Sequence, residues 1–184
     1  MLARLTIGQK LALISVTLST VLIALAVSML FELKNTMIDG RKVKLRALVE
    51  SAVNVVNTYS KLEQDGVLPR EEAQKRAIDA VYGMNFDGKN YFFIAQTDGV
   101  LVAHPTRQEQ IGKNLLESTD EGTRRNYTMF LGAARDSAFL EGFAESLGRR
   151  PGSKEMNARK LFLSAEDKAW NWVVTTGVFI DDIN

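Results

Sequence analysis

His104 is the only histidine in 184 residues, and cysteine is absent. A lone imidazole can donate a hydrogen bond or move a proton near neutral pH, but it cannot build a metal centre of several imidazoles. Without a thiolate there is no cysteine nucleophile and no disulfide framework, and a serine triad would have to use His104 as its base. His104 closes the apolar run Val100 to His104 and precedes Pro105. Two roles fit that position: donating a hydrogen bond to a ligand oxygen in a pocket, or holding the turn at Pro105. Lys160 stands at the head of a second apolar run. Buried there, its ammonium requires an anion, which a carboxylate ligand can supply; at a solvated edge it requires nothing. Tyr91 and Phe93 share one face of their segment by two-residue alternation, and Phe92 and Ile94 share the other. One face is core, and the other can line a pocket, with Phe93 and Phe162 as apolar wall. Asp181 and Asp182 form an acidic pair, the type used for acid/base work or calcium, but beside Ile183 they read as a polar strand end. No glycine-rich phosphate loop or nucleophile elbow is present. A non-enzymatic binding role without cofactor or metal is therefore expected.

The elements that must hold these residues begin with an apolar run. Leu11 to Phe31 carries no charge and is bounded by Lys10 and Glu32. As a helix it covers about 30 Å, the hydrocarbon thickness of a bilayer. A transmembrane helix over 11–31 is expected, with residues 1–10 on the cytoplasmic side and a domain over 33–184. Ala24-Leu25-Ala26 would serve as a cleavage site if the run were a signal peptide, but the apolar stretch continues past it to Phe31. Lys34, Arg41, Lys42, Lys44 and Arg46 outnumber the positive charges before the span, so a plain charge count places the domain in the cytoplasm.

A net charge of +1 gives no field for nucleic acid, and 46% hydrophobic against 24% charged residues excludes disorder. The basic stretch Arg41 to Arg46 has no interleaved aromatics, so no nucleic-acid partner is expected. From Leu33 to about Leu62, apolar Leu45, Leu48, Val49, Ala52, Val55, Val56 and Tyr59 recur at steps of three and four, which predicts a long amphipathic helix. Asp65-Gly66 breaks it. Pro69, followed by Glu71 and Glu72, opens a second helix with Ala73, Ala77, Ile78 and Val81 inward. Asn90 to Ala95, the turn Gln96 to Gly99, and Val100 to His104 predict a β-hairpin. Thr119 or Asp120 can cap a third helix to about Arg135, with Tyr127, Phe130, Leu131 and Ala134 on one side. Strands follow over Phe139 to Leu147, Ala158 to Ser164 and Trp170 to Ile180, with a linker over Gly148 to Met156. The order is α+β with antiparallel strands.

The segments RKVKLRALVESAVNVVNTY, REEAQKRAIDAVYGM, DGKNYFFIAQTDGVLVAHPTRQEQIGKNL and WNWVVTTGVFIDDI resemble the extracytoplasmic single-Cache sensor domain of bacterial methyl-accepting chemotaxis proteins. The specific pieces are the YFFI strand, the Asp98-Gly99 turn, His104-Pro105, Gly112 to Leu115 and the closing Trp172 to Ile183 strand. The resemblance implies a PAS-like antiparallel five-stranded sheet on a long N-terminal helix, preceded by the transmembrane helix and lying in the periplasm. It also implies a homodimer, a short carboxylate ligand, and a signal leaving through the last strand into a second transmembrane helix near Asn184. Tyr91, His104 and Lys160 would orient the ligand between the sheet and the loop after the Val100 strand. The chain departs from the family in having Asn85 where an arginine is common before the YFFI strand. It also lacks an aromatic end in Glu145 to Gly148 and a tyrosine after Lys160. Two readings follow: the sensory module of a transmembrane chemoreceptor, or a membrane-anchored or secreted Cache-like binding protein without signalling output of its own.

Overall fold

The computed structural model describes residues 6–88, 90–136, 141–148 and 158–181. Nothing between Phe31 and Leu33 breaks a helix, and α1 accordingly runs unbroken over Ile7–Gln64, where a span and a following helix were expected as separate elements. The chain divides into two compact units, one reaching Gly40 and the other beginning at Arg41.

In the first unit the apolar stretch of α1 is exposed throughout. Its polar side chains satisfy themselves locally: Thr17 donates to the Leu13 carbonyl at 2.9 Å and Thr20 to that of Val16 at 2.8 Å. An all-round apolar helix with internally satisfied hydroxyls fits a membrane anchor.

In the second unit α1 buries one stripe, Leu45, Val49, Ala52, Val53 and Val56. It stops where Gly66 takes a φ of 71°, a left-handed conformation that glycine adopts without strain. Pro69 is the N-cap of α2 (Arg70–Tyr82), one position before its expected place inside the first turn, and α2 buries Ala73, Ala77 and Val81. Strands β1 (Phe93–Gln96), β2 (Leu101–Ala103), β3 (Phe143–Gly148), β4 (Ala158–Asp167) and β5 (Trp172–Phe179) form one sheet in the order β2-β1-β5-β4-β3. Every pairing is antiparallel. Between β2 and β3 lies α3 (Glu121–Asp136), capped by Asp120, whose carboxylate accepts the Thr123 N–H at 2.7 Å.

The strands are trimmed relative to the hydrophobic runs for local reasons. β1 starts at Phe93 because Asn90 bridges to Phe86 and the Tyr91 carbonyl accepts from the Thr176 hydroxyl at 2.7 Å. β2 ends at Ala103 because Pro105 has no N–H to continue the ladder. In the last hairpin β4 extends to Asp167, and β5 begins only at Trp172, after a turn in which Asn171 has a φ of 55°. β3 begins at Phe143; residues 139 and 140 of the expected strand, and 149–156 of the expected linker, lie outside the described residues.

The two faces of the sheet have different partners. Phe92, Ile94, Val174 and Val178 are fully buried on the side where α1 lies. There Lys42 and Arg46 sit over the Phe143 ring, Lys44 pairs with Asp87 at 2.6 Å, and Glu63 accepts from the Trp170 indole. Phe93, Ala95, Leu101, Ala144, Phe162 and Val173 form the opposite core with Tyr127, Phe130 and Leu131 of α3 and Leu115. The segment Gly112 to Leu115 folds back along β2: the Leu101 N–H donates to Lys113 and the Leu115 N–H to Gly99, so this edge strand is covered. A Cβ on Gly99 would stand 2.5 Å from the Asn114 Oδ1 and 2.6 Å from the Leu116 Cγ. Only glycine admits that approach.

Candidate functional site

The alternation expected in β1 turns Tyr91 and Phe93 toward α3. Just past β2, His104 is only 3% exposed. Its Nδ1 accepts the Thr106 N–H at 3.2 Å, which leaves the ring proton on Nε2. The ring stacks on Phe93 at 5.4 Å and meets Tyr91 edge-on at 5.2 Å. Burial, with Arg107 and Lys160 nearby, lowers its pKa to about 3, so the imidazole is neutral and offers one N–H. Thr106 completes the corner, its hydroxyl lying 3.4 Å from both the Tyr91 hydroxyl and the His104 Nδ1.

Lys160 enters from the floor of the sheet, paired with Phe179 on one side and Ser146 on the other. It is 8% exposed. Its ammonium lies 5.5 Å from the ring centre of Tyr91, 5.3 Å from Phe162 and 4.9 Å from Phe179. Aromatic faces attract a cation but do not neutralise it. No described residue gives Lys160 a hydrogen bond or ion pair, and burial alone lowers its pKa to about 8. The stem passes between two glycines on the neighbouring strands. A Cβ on Gly148 would stand 3.3 Å from the lysine Cδ, and one on Gly177 3.1 Å from its Cε.

From α3 the third wall is built by Thr123, Asn126, Tyr127 and Phe130, spaced so that they share one helix face. Asn126 accepts from the Ser146 hydroxyl at 2.7 Å, tying that face to β3. Phe130 packs on Phe162 at 4.6 Å and on Phe93 at 5.7 Å. Tyr127 is buried in the same cluster, and that burial raises the pKa of its phenol.

These elements enclose a cavity of about 90 Å³ lined by Tyr91, Phe93, His104, Arg107, Thr123, Asn126, Tyr127, Phe130, Leu147, Gly148, Lys160, Phe162 and Gly177. On the same measure about 10–15 Å³ admits one water, so a small molecule of a few non-hydrogen atoms fits. Tyr91, Phe93, His104, Lys160 and Phe162, singled out in the sequence, come together around it. Asn85, where the family resemblance implies an arginine, is exposed and is not among the lining residues. Arg107 lies there instead, three residues beyond His104. Thr123 and Asn126 were also missed, although they continue the stripe of Tyr127 and Phe130. Gly177 had a sequence signal of its own, an isolated glycine inside a strand, which marks close approach of another group.

A cavity of mixed polar and apolar lining with convergent donors and cations, set between a PAS-like sheet and a helix, matches a known sensory family. The model of the family described as Single Cache domain 2 matches residues 37–184. The chain belongs to that family. Two curated relatives, both longer chains, match it over most of its length. The methyl-accepting chemotaxis protein McpP of Pseudomonas putida is 26% identical over 182 residues, 99% of this chain and 33% of McpP. The sensor histidine kinase MctS of Rhizobium johnstonii is 25% identical over 152 residues, 82% of this chain and 31% of MctS. The chain thus spans about a third of the length of the curated relatives it matches. Among solved structures, a periplasmic sensor domain of a chemotaxis protein is 28% identical with a TM-score of 0.71, covering 79% of this chain and 99% of that one. A Cache chemosensory domain described for carboxylic acid recognition shares the fold at 22% identity and a TM-score of 0.70, covering 80% of this chain and 98% of that one.

Proposed function

We propose that this Cache domain is the extracytoplasmic sensor of a membrane receptor and binds a short carboxylate in the cavity over Lys160. One observation carries the ligand class. The Lys160 ammonium is buried in the wall of a small cavity with no anionic partner among the described residues. A buried charge of this kind is stable only when a counter-ion joins it, and a carboxylate supplies the counter-ion together with hydrogen-bond acceptors. The neutral His104 N–H and the Tyr91 hydroxyl stand ready as further donors, and Phe93 with Phe162 provides the apolar wall for a short carbon chain.

The exposed apolar stretch of α1 supports anchoring in the cytoplasmic membrane, and the relatives' names supply the two classes of output, chemotaxis receptor and histidine kinase. Lys160 and Gly177 stand on β4 and β5, so occupancy acts directly on β5, the strand after Lys160's own. Binding shifts output only by its differential affinity for the two signalling states. The receptor works as a homodimer in this reading and performs no chemistry on its ligand.

The test is a thermal-shift and calorimetric titration of the full chain in detergent with acetate, propionate, pyruvate and lactate, alongside amino acids and amines. A ligand at about 100 times its dissociation constant adds about 2.7 kcal/mol of stability. Saturable binding of a carboxylate that is lost in Lys160→Met is the expected result. Binding confined to amines, or carboxylate affinity untouched by Lys160→Met, overturns the ligand class.

A further inference from the structure

The cavity has a second cation. Arg107, on the loop above the sheet, and Lys160, on the sheet itself, both line it, and among the described residues no Asp or Glu does. Neither side-chain cation has a hydrogen bond or ion pair to a described residue. Arg107 and Asp120 feel each other's charge, but Asp120 is fully exposed and already holds the Thr123 N–H. Its field is screened by solvent and one of its oxygens is engaged in the helix cap. The imidazole between the loop and the sheet adds nothing to the balance, because His104 is neutral, and both positive groups act on that same ring. The wall therefore carries two positive charges and one neutral donor, where a monocarboxylate would bring a single negative charge.

We propose that Arg107 and Lys160 together select a short dicarboxylate of three or four carbons, one carboxylate on each cation. This deepens the carboxylate reading and rests on it. The aromatic sides favour a carbon spacer over a compact oxyanion: Phe93 and Phe162 offer apolar surface for methylene groups, whereas a phosphate would need hydrogen-bond donors on every side. A guanidinium also holds a carboxylate through two parallel N–H donors, which a lone ammonium does not. Arg107 is thus a specificity-determining residue, setting how many charges the ligand must carry, and Lys160 is required for any carboxylate.

The experiment is calorimetry on the full chain in detergent with three probes: succinate, its half-amide succinamate, which has the same size and one charge fewer, and propionate. Succinate is expected to bind at least about tenfold more tightly than either other probe, the difference one charged hydrogen-bonded contact makes. In Arg107→Gln the succinate and succinamate affinities converge; Arg107→Lys restores part of the difference. Arg107 is partly exposed on a loop, so these variants keep the fold, which the unfolding temperature verifies. Equal affinity for succinate and succinamate in the wild type, or a preference that survives Arg107→Gln, overturns this inference and leaves the carboxylate reading standing. Tighter binding of inorganic phosphate than of succinate overturns the dicarboxylate assignment. Failure of all three carboxylates to bind overturns both.

Discussion

Lys160 and Gly177 stand on adjacent strands with the glycine's missing side chain occupied by the lysine's stem: a Cβ at 177 would lie 3.1 Å from the lysine Cε. The same Cβ would meet the Phe162 ring at 2.7 Å and the Leu161 carbonyl at 2.8 Å. Backbone cannot yield as a flexible chain end can. Gly177→Ala is therefore expected to cost about 1–3 kcal/mol of stability, the usual range for overpacking, and to weaken carboxylate binding. Gly148→Ala, where the closest atom is the lysine Cδ at 3.3 Å, is expected to cost less. Urea unfolding of the two variants ranks them, and an equal or reversed order removes the close approach as the reason for glycine at 177.

Lys160→Met separates binding from stability. Methionine keeps most of the apolar stem and removes the unpaired ammonium, so the empty protein is expected to gain about 1–3 kcal/mol while carboxylate binding disappears. Opposite signs in the two measurements are the signature. A variant that is both less stable and unable to bind would mean that the lysine is held by a partner of its own.

The same lysine sets an alkaline limit. Its folded pKa of about 8 lies below the ordinary 10.5, so between those values the unfolded chain binds more protons and stability rises with pH. The gain is on the order of 3 kcal/mol by pH 10.5. Ligand affinity moves the other way, because a bound carboxylate holds the ammonium in its charged form and must draw a proton to do so. Above pH 8 the affinity is expected to fall, by up to about tenfold per pH unit. Calorimetry in buffers of different ionisation enthalpy measures this uptake directly. An affinity flat from pH 7 to 10 would contradict it.

Much of this architecture is legible in the chain because local and global signals agree. The alternation in Tyr91 to Ile94 separates the pocket face from the α1 face before any contact is known, and Asp120 declares the start of α3. Lys160 is legible for a different reason, since a lysine heading the apolar run Leu161 to Leu163 conflicts with burial unless something answers its charge. Arg107 was not legible. It sits in a loop without periodicity, and only the return of Gly112 to Leu115 over Gly99, a long-range docking, brings that loop over the sheet. Gly177 shows the same limit: a glycine in a strand signals close approach, but the approaching atoms belong to Lys160, Leu161 and Phe162 on the neighbouring strand. Strand ends were misjudged where side chains take over backbone hydrogen bonding, as Thr176 does for the Tyr91 carbonyl.

His104 predicts the behaviour in acid. Its folded pKa of about 3 lies below the ordinary 6.5, so the imidazole stays neutral in the fold while the unfolded chain takes up a proton below pH 6.5. Its contribution to stability is complete above pH 6.5 and is lost as the pH falls toward 3, at up to about 1.4 kcal/mol per unit. Asp167 acts in the opposite sense, since burial raises its pKa and makes protonation easier in the fold. The difference between wild type and His104→Gln isolates the histidine. Urea unfolding at pH 7, 6, 5 and 4 should show the wild type losing stability faster than the variant over that range. Parallel curves would mean that the ring carries its proton in the folded state. In that case, below pH 6.5, the donor facing the cavity would be an imidazolium, and the site would hold a third positive charge.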